Sequence, residues 1–268
     1  MARTPGSLKL RILSALVLAP IAIAAVWFGW PWLPIITAVA GTGMAWEWAR
    51  LCVGNRAVGV ALIATVFIAI AVASLGSLAA AALVTASGLA GVLFLARQQR
   101  IGTRYWLVFG ALWIALPCVL LLRLAGVEGG GRITVLWIFA VVWATDTGAY
   151  AFGRWLGGPR LAPRWSPRKT WAGLLGGAIC AALTGWGTAA VLGVSPVLPL
   201  VVISAGLAIV EQFGDLAESV AKRRFSVKDS SGLIPGHGGL LDRLDGLLVV
   251  IPTVALLSFC GGSVLTWR

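Results

Sequence analysis

Nine long apolar runs, separated by short polar segments, follow one another along this chain of 268 residues. A transmembrane helix needs roughly 20 predominantly apolar residues, and its backbone hydrogen bonds are satisfied within the helix itself. Hydrophobic residues make up 59% of the chain and charged residues only 11%, a composition typical of an integral membrane protein. We therefore predict membrane-spanning helices near residues 12–30, 32–49, 57–74, 76–96, 105–123, 133–153, 171–193, 195–218 and 241–262.

The distribution of Lys and Arg predicts how these helices are oriented, because short loops rich in basic residues stay in the cytoplasm. With a cytoplasmic N-terminus, 18 of the 21 basic residues fall on the cytoplasmic side, ten of them in the loops at 154–170 and 219–243. The opposite side receives only Arg123, Arg132 and Arg268. The predicted fold class is all-α: a polytopic integral membrane protein of about nine transmembrane helices, with its N-terminus cytoplasmic and its C-terminus on the opposite side.

The net charge of +12 would indicate nucleic-acid binding in a soluble protein. Here the basic residues flank apolar runs, and no basic segment interleaved with aromatic residues is present in the sequence. The pattern favours membrane lipids with anionic headgroups as partners and predicts no nucleic-acid partner. No change of composition separates soluble domains, so we expect a single membrane domain over residues 1–268.

Six of the nine carboxylates lie within one stretch of 35 residues near the C-terminus. The spacing of Glu211, Asp215 and Glu218 places these acids on one face of the helix that ends the eighth run. Asp242 and Asp245 lie one helical turn apart at the start of the ninth run, and such a pair can share a hard cation. The sequence has no close cluster of His and Cys, so the pattern favours magnesium over zinc.

A glycine-rich segment lies between these two groups of acids. Gly238 and Gly239 follow His237, the only histidine in the chain. Glycines allow close approach of the backbone and leave N–H groups open to phosphate oxygens. His237 has two interpretations, a structural hydrogen-bonding group or a direct chemical role.

Basic residues are interleaved with the same acids. Lys222, Arg223 and Lys228 are typical of a basic cluster beside a membrane, but among metal-binding acids they also fit a clamp for a polyphosphate. Both interpretations stay open on the residues alone.

The order of these residues resembles the signature of the phosphatidate cytidylyltransferases, also called CDP-diacylglycerol synthases. Two upstream stretches add to the resemblance, DTGAYAFGR at 146–154 and SPRKTWAG at 166–173. The chain departs from the family at Ala172, where members commonly carry glutamate, and at Ala221, where they prefer a larger apolar residue. The signature residues are Ser219, Lys222, Arg223, Lys228, Asp229, Pro235, His237, Gly238, Gly239, Asp242, Arg243 and Asp245.

The resemblance implies transfer of CMP from CTP to phosphatidate, giving CDP-diacylglycerol and pyrophosphate for phospholipid biosynthesis at the cytoplasmic face of the cell membrane. The lipid phosphate is already an anionic nucleophile, so catalysis rests on positioning and charge neutralisation. The family also implies Mg²⁺, K⁺ as a second cation, and a homodimer. The helices of residues 1–132 match no motif and are expected to enclose the lipid, and residues 133–268 are expected to form the catalytic half.

The site residues follow from the same resemblance. Asp215 and Asp242 are expected to hold the principal Mg²⁺, with Asp146 and Asp245 as nearby carboxylates. The residues expected to act in catalysis are Asp215, Lys228, Asp229, Asp242 and Asp245. Those expected to bind the substrates are Ser166, Arg168, Lys169, Thr170, Ser219, Lys222, Arg223, His237, Gly238, Gly239 and Arg243.

Other functions are alternatives to this one. A cytidylyltransferase that acts on another lipid phosphate, such as an isoprenoid ether lipid, would use the same metal and nucleotide site. An ion-coupled transporter is suggested by Asp146 and Glu47 within apolar runs, although most other acids lie at the predicted cytoplasmic ends of helices. Glu47, between two tryptophans, is also interpreted as the cap of a helix end. A non-catalytic scaffold would leave the paired aspartates unexplained.

Overall fold

The computed structural model describes residues 5–52, 55–234 and 238–261. Within these ranges it contains nine α-helices and one β-hairpin. In chain order the elements are α1 (Pro5–Phe28), α2 (Trp32–Cys52), α3 (Arg56–Ser74), α4 (Leu78–Gln98), α5 (Arg104–Ala125), α6 (Gly131–Trp155), β1 (Arg160–Ala162), β2 (Ser166–Thr170), α7 (Trp171–Leu192), α8 (Val197–Arg224) and α9 (Leu241–Gly261).

The helices coincide with the predicted apolar runs. In the described part of the chain, seven helices, α3 to α9, are long and apolar enough to cross a membrane. The described apolar part of α1, Ser14–Phe28, is shorter, and α2 carries Glu47 and Arg50 in its last turns. The protein is therefore an all-α, polytopic membrane protein.

The chain divides into two compact units. The first unit comprises the described residues up to Arg123 together with Arg224–Leu244, and the second comprises Leu124–Arg223 together with the described residues from Asp245 onward. The polar segment after α8 therefore belongs with the N-terminal helices. These bounds differ from a division into two contiguous halves at residue 132. The expectation that the N-terminal helices enclose the lipid stays a prediction.

Tight contacts between α2 and α5 organise the first unit. The indole Nε1 of Trp48 donates to the carbonyl oxygen of Trp106 at 2.9 Å. The same indole lies directly against Gly110, where no Cβ would fit. Helix α3 begins at an N-cap residue, Asn55, whose side chain accepts hydrogen bonds from two backbone N–H groups of the first turn.

Small residues organise the second unit, where α6 and α7 pack along their length. A Cβ at Gly148 would lie 2.6 Å from Sγ of Cys180 and 2.8 Å from the carbonyl oxygen of Gly176, so only glycine allows this approach. Helix α8 has 28 residues and a length of about 42 Å. Because the hydrocarbon core is about 30 Å thick, one end of this helix extends beyond it.

The β-hairpin departs from the prediction, which treated residues 154–170 as a loop. Strands β1 and β2 are antiparallel, with an irregularity between the paired positions. The backbone N–H of Trp171 donates to the carbonyl oxygen of Pro159 at 3.1 Å and closes the hairpin. The strands have three and five residues and lack an alternating apolar pattern, so the sequence gives no local strand signal.

Candidate active site

Acidic side chains line one face of α8 in the second unit. Glu211, Asp215 and Glu218 are spaced by four and then three residues, and both glutamates are buried. In water such a face would need no explanation, but burial makes each carboxylate costly unless it is hydrogen-bonded or paired. The surroundings of these acids therefore decide their role.

Two glycines bring helix α9 against this face of α8. A Cβ at Gly214 would lie 2.7 Å from the carbonyl oxygen of Asp245. A Cβ at Gly246 would lie 2.7 Å from Cγ of Glu211. Close backbone packing thus places the Asp245 carboxyl within interaction distance of Asp215, which fits a shared cation.

The hairpin supplies a cation to the same cluster. Nζ of Lys169, in β2, lies 2.6 Å from Oδ2 of Asp215, and the two side chains are 19% and 21% exposed. Successive side chains of a strand point to opposite faces, and Arg168 is accordingly exposed. Thr170 ends β2 as the N-cap of α7, where its hydroxyl accepts a hydrogen bond from Gly173 N–H at 3.1 Å.

A second ion pair lies one turn further along α8. Nζ of Lys222 lies 2.8 Å from Oε2 of Glu218, and Glu218 is only 4% exposed. Asp245 lies within interaction distance of Glu218 as well. Lys222 was predicted to bind substrate phosphate, and here its ammonium balances the charge of a buried glutamate.

Glu211 is the most deeply buried acid of the cluster. It is 1% exposed, and neither carboxylate oxygen accepts a hydrogen bond from the residues that the structure describes. Asp146 and Asp215 are the charged groups near it. The neighbouring Thr145 hydroxyl donates instead to the carbonyl oxygen of Val141 at 2.9 Å. A buried, unsatisfied carboxylate beside two further acids indicates a place for positive charge.

The donor set of this cluster fits a hard divalent cation. Five carboxyls are grouped there, with Lys169 and Lys222 as the cations in its two described ion pairs. Oxygen ligands favour Mg²⁺, which proteins usually bind with one or two carboxylates plus substrate phosphates. No three acids, histidines or cysteines of the described ranges surround one point at ligand distance, so at most two of these carboxyls could reach the same cation. The acids of the cluster are Asp146, Glu211, Asp215, Glu218 and Asp245.

A separate polar cluster forms in the first unit, around the segment that precedes α9. Oδ2 of Asp242 accepts hydrogen bonds from the backbone N–H of Ser230 at 3.0 Å, from the Ser230 hydroxyl at 3.0 Å and from the N–H of Gly239 at 2.8 Å. Asp242 thus ties both ends of the glycine-rich segment together. Its predicted role as a metal ligand stays a prediction.

The described glycines of this segment, Gly238 and Gly239, allow tight folding of the chain. The N–H of Gly238 donates to the carbonyl oxygen of Ile234 at 3.1 Å, and the N–H of Gly239 donates to Asp242. Both N–H groups thus have acceptors within the chain, and the predicted binding of phosphate oxygens by these glycines stays a prediction. Gly238 has a φ of +93°, and a Cβ at Gly239 would collide with the Ser230 hydroxyl. Tight chain folding is what requires glycine here.

Glu47 of α2, like Glu211 and Glu218, was not among the predicted site residues. It is fully buried, and its carboxylate accepts hydrogen bonds from Leu240 N–H and Leu241 N–H at 2.8 Å each. The hydroxyls of Ser230 and Ser231 donate to it as well, the former at 3.1 Å. Glu47 does accept hydrogen bonds at a helix end, but that end is the start of α9 and not an end of α2. An acid within an apolar run was the available signal.

The other predicted residues lie in more open surroundings. Ser166 and Ser219 are half-buried, and His237 lies outside the described residues. The residues with exposed side chains are Arg168, Arg223, Lys228, Asp229 and Arg243. Exposed cations such as these suit the binding of a phosphorylated, charged ligand.

Sequence comparison places these features in a family. Residues 9–260 match the cytidylyltransferase family over nearly the whole chain. The chain belongs to the cytidylyltransferase family. A phosphatidate cytidylyltransferase of Brucella suis is 39% identical over 244 residues, which cover 91% of this chain and 90% of that protein. A second one, of Pseudomonas aeruginosa, is 39% identical over 95% of this chain and 98% of its own length.

One relative matches only part of the chain, at a higher identity. A phosphatidate cytidylyltransferase of Staphylococcus saprophyticus is 44% identical to this chain over 124 residues, which are 46% of the chain and 48% of that protein. The full-length matches include the N-terminal helices, so the relationship is not confined to the signature. Membership therefore extends to the part of the chain that carries Glu47.

Proposed function

We propose that this protein transfers CMP from CTP to phosphatidate and releases pyrophosphate, forming CDP-diacylglycerol for phospholipid biosynthesis. The observation that carries the proposal is the cluster of Asp215, Asp245 and Lys169 in a member of the cytidylyltransferase family. Relatives that bear the name phosphatidate cytidylyltransferase match this chain along more than nine-tenths of its length.

The reaction is a displacement at phosphorus. A phosphate oxygen of phosphatidate attacks the α-phosphorus of CTP, the bond from that phosphorus to the bridging oxygen of the β-phosphate breaks, and pyrophosphate leaves. Because the attacking oxygen is already anionic, no protein group has to remove a proton. The protein has to bring two polyanions together and neutralise their charge.

The residues of the second unit suit that task. Lys169, held by the hairpin at 2.6 Å from Asp215, is a cation at the edge of the carboxylate cluster. Arg168 and Arg223 are exposed and available to substrate phosphates. In the first unit, Lys228 and Asp229 are exposed on the segment that Asp242 ties together. Their predicted parts in catalysis belong to this proposal.

Asp215 and Asp245 would hold Mg²⁺, with Asp146 and Glu211 as nearby carboxylates. Bound there, Mg²⁺ would neutralise charge on the CTP phosphates and on the leaving pyrophosphate. Asp242 as a further ligand, K⁺ as a second cation and a homodimer stay predictions. So does the arrangement in a cell membrane with nine spans, a cytoplasmic N-terminus and a cytoplasm-facing site, which the distribution of basic residues supports.

The test is an assay on detergent-purified protein with labelled CTP, phosphatidate and Mg²⁺. We expect lipid-soluble cytidine and pyrophosphate in equal amounts, and no product in EDTA. Asp242→Asn, which retains size and weakens metal binding, should abolish turnover. The matched control is Glu128→Gln, because Glu128 is an exposed acid outside both clusters.

Each substrate is tested separately. Lys228→Ala should raise KM for CTP, and unchanged CTP kinetics would remove Lys228 from the phosphate clamp.

Ala172→Glu tests whether the acid common at that position contributes. Product from an isoprenoid ether lipid phosphate and none from phosphatidate would establish the other lipid substrate instead. No product from any lipid phosphate with well-folded protein would overturn the proposal.

A further inference from the structure

Glu47 lies far from the signature in sequence, yet it is hydrogen-bonded to the segment before α9 and to the first residue of α9. Four donors converge on its carboxylate, two backbone N–H groups and two hydroxyls. The sequence separations are 183 to 194 residues. A single buried side chain of α2 thus fixes a segment from the far end of the chain.

The two backbone donors explain why an ionised acid suits this position. Leu240 and Leu241 lie at the start of α9, where the first N–H groups of a helix have no partner within the helix. The helix dipole adds partial positive charge at the same end, which stabilises a carboxylate. Glu47 therefore occupies the place at which a helix N-terminus would otherwise bind an anion such as phosphate.

The hydroxyl donors connect Glu47 with Asp242. The Ser230 hydroxyl lies 3.1 Å from Oε2 of Glu47 and 3.0 Å from Oδ2 of Asp242. A hydroxyl carries one proton, so this single donor is shared between two carboxylates. The backbone N–H of Ser230 donates to Asp242 as well, at 3.0 Å. A shift of the Glu47 carboxylate therefore displaces the partner of Asp242 directly.

We infer that Glu47 is a positioning residue for the reaction, which it serves by holding Ser230, Ser231 and the start of α9 in their working geometry. This inference rests on the proposed function. In this role Glu47 acts through Ser230, Ser231 and the N–H groups of Leu240 and Leu241, rather than by contact with a substrate. It follows that α2, which carries no signature residue, contributes to the site as well as to the packing of the membrane helices.

Glu47→Gln tests the inference with little change in size. An amide nitrogen replaces one acceptor oxygen and opposes the donors that face it. Hydrogen exchange measured by mass spectrometry on the purified protein should show faster exchange of the amides between Ser230 and Leu241. With CTP, phosphatidate and Mg²⁺, kcat should fall by about 10-fold to 100-fold, the usual effect of losing a group that orients a ligand. KM for CTP should stay within about twofold, because Glu47 does not bind substrate.

The control Glu128→Gln should change neither exchange nor kcat. Unchanged exchange in Glu47→Gln would overturn the inference, and so would faster exchange with an unchanged kcat or a rise in KM alone. If Glu47→Gln does not fold, Ser231→Ala removes one of the four donors and leaves the buried acid in place. That variant should show the same two changes in weaker form, and wild-type behaviour in both would overturn the inference. An inactive wild-type protein would refute the proposed function, while the exchange measurement would still test the contact.

Discussion

Glu47 in the first unit and Glu211 in the second are both buried glutamates within apolar helices, and their surroundings are opposite. Glu47 is 0% exposed and accepts four hydrogen bonds from neutral donors. Glu211 is 1% exposed and accepts none from the described residues, while Asp146 and Asp215 lie near it. The first carboxylate is stabilised by hydrogen bonds from the protein, whereas the second has no hydrogen-bond donor among the described residues.

The comparison separates two uses of a buried acid. A carboxylate whose oxygens are filled by N–H and O–H donors has no capacity left for a metal, and its contribution is to fix the chain around it. A carboxylate packed against other carboxylates is unfavourable until positive charge arrives, which is a property of binding sites rather than of structural cores. Five variants and two controls distinguish these uses.

The largest effect is expected at Asp215. Asp215→Asn keeps the shape but removes the charge that pairs with Lys169 at 2.6 Å and faces Asp245. We expect turnover to fall by at least about 10³-fold, the upper range for loss of one charge-stabilising group. Formation of CDP-diacylglycerol by the purified variant at saturating Mg²⁺ measures this. Turnover within a few-fold of wild type would place the metal elsewhere and would remove the contrast between the two units.

The sequence predicted the carboxylate face of α8 for a physical reason. A helix repeats every 3.6 residues, so the spacing of Glu211, Asp215 and Glu218 is sufficient to place them together. The helix positions were predictable in the same way, since a span must be long and apolar to exist in lipid at all. Both features depend on residues that are close in sequence, so the helix repeat alone determines their arrangement.

The contact of Glu47 with the segment before α9 was not predictable in this way. It joins residues 183 or more positions apart, and no periodicity relates α2 to α9. The hairpin was missed for a related reason, because its short charged strands are defined by mutual pairing. Gly238 and Gly239 were recognised as special, but the sequence could not show that their N–H groups have partners within the chain.

Gly239→Ala tests the contact between Glu47 and the segment before α9 by changing the segment and leaving Glu47 in place. A Cβ at this position would lie 2.8 Å and 2.9 Å from the two carboxylate oxygens of Glu47 and would collide with the Ser230 hydroxyl. We expect turnover to fall by about 10-fold or more, because a displaced supporting contact costs activity on that scale. The matched control is Gly206→Ala in α8, where the added methyl group meets open space. Steady-state kinetics of both variants provide the measurement, and equal activities would contradict the close packing.

The two buried glutamates should also differ in the sign of their effect on stability. In EDTA, Glu47→Gln should lower the free energy of unfolding by about 1–3 kcal/mol, because it leaves buried donors without acceptors. Glu211→Gln should leave it unchanged or raise it, since it replaces a buried carboxyl group whose oxygens have no hydrogen-bond partner among the described residues. Denaturant unfolding in detergent, followed by tryptophan fluorescence, compares the two variants. Equal losses of stability would show that the contrast between the units is not one of satisfied and unsatisfied acids.

The smallest effect on turnover is expected at Trp48, which follows Glu47 in α2 and is 1% exposed. Trp48→Phe removes the indole N–H that donates to the Trp106 carbonyl oxygen, and we expect a loss of about 1–3 kcal/mol in stability with kcat nearly unchanged. Trp32 lies in the same helix and is 57% exposed. Trp32→Phe is therefore the control for replacing an indole ring by a phenyl ring. Thermal unfolding and turnover are measured on the same preparations. If kcat fell in Trp48→Phe as far as in Glu47→Gln, any disturbance of α2 would impair the site, and the effect at position 47 could not be attributed to its carboxylate.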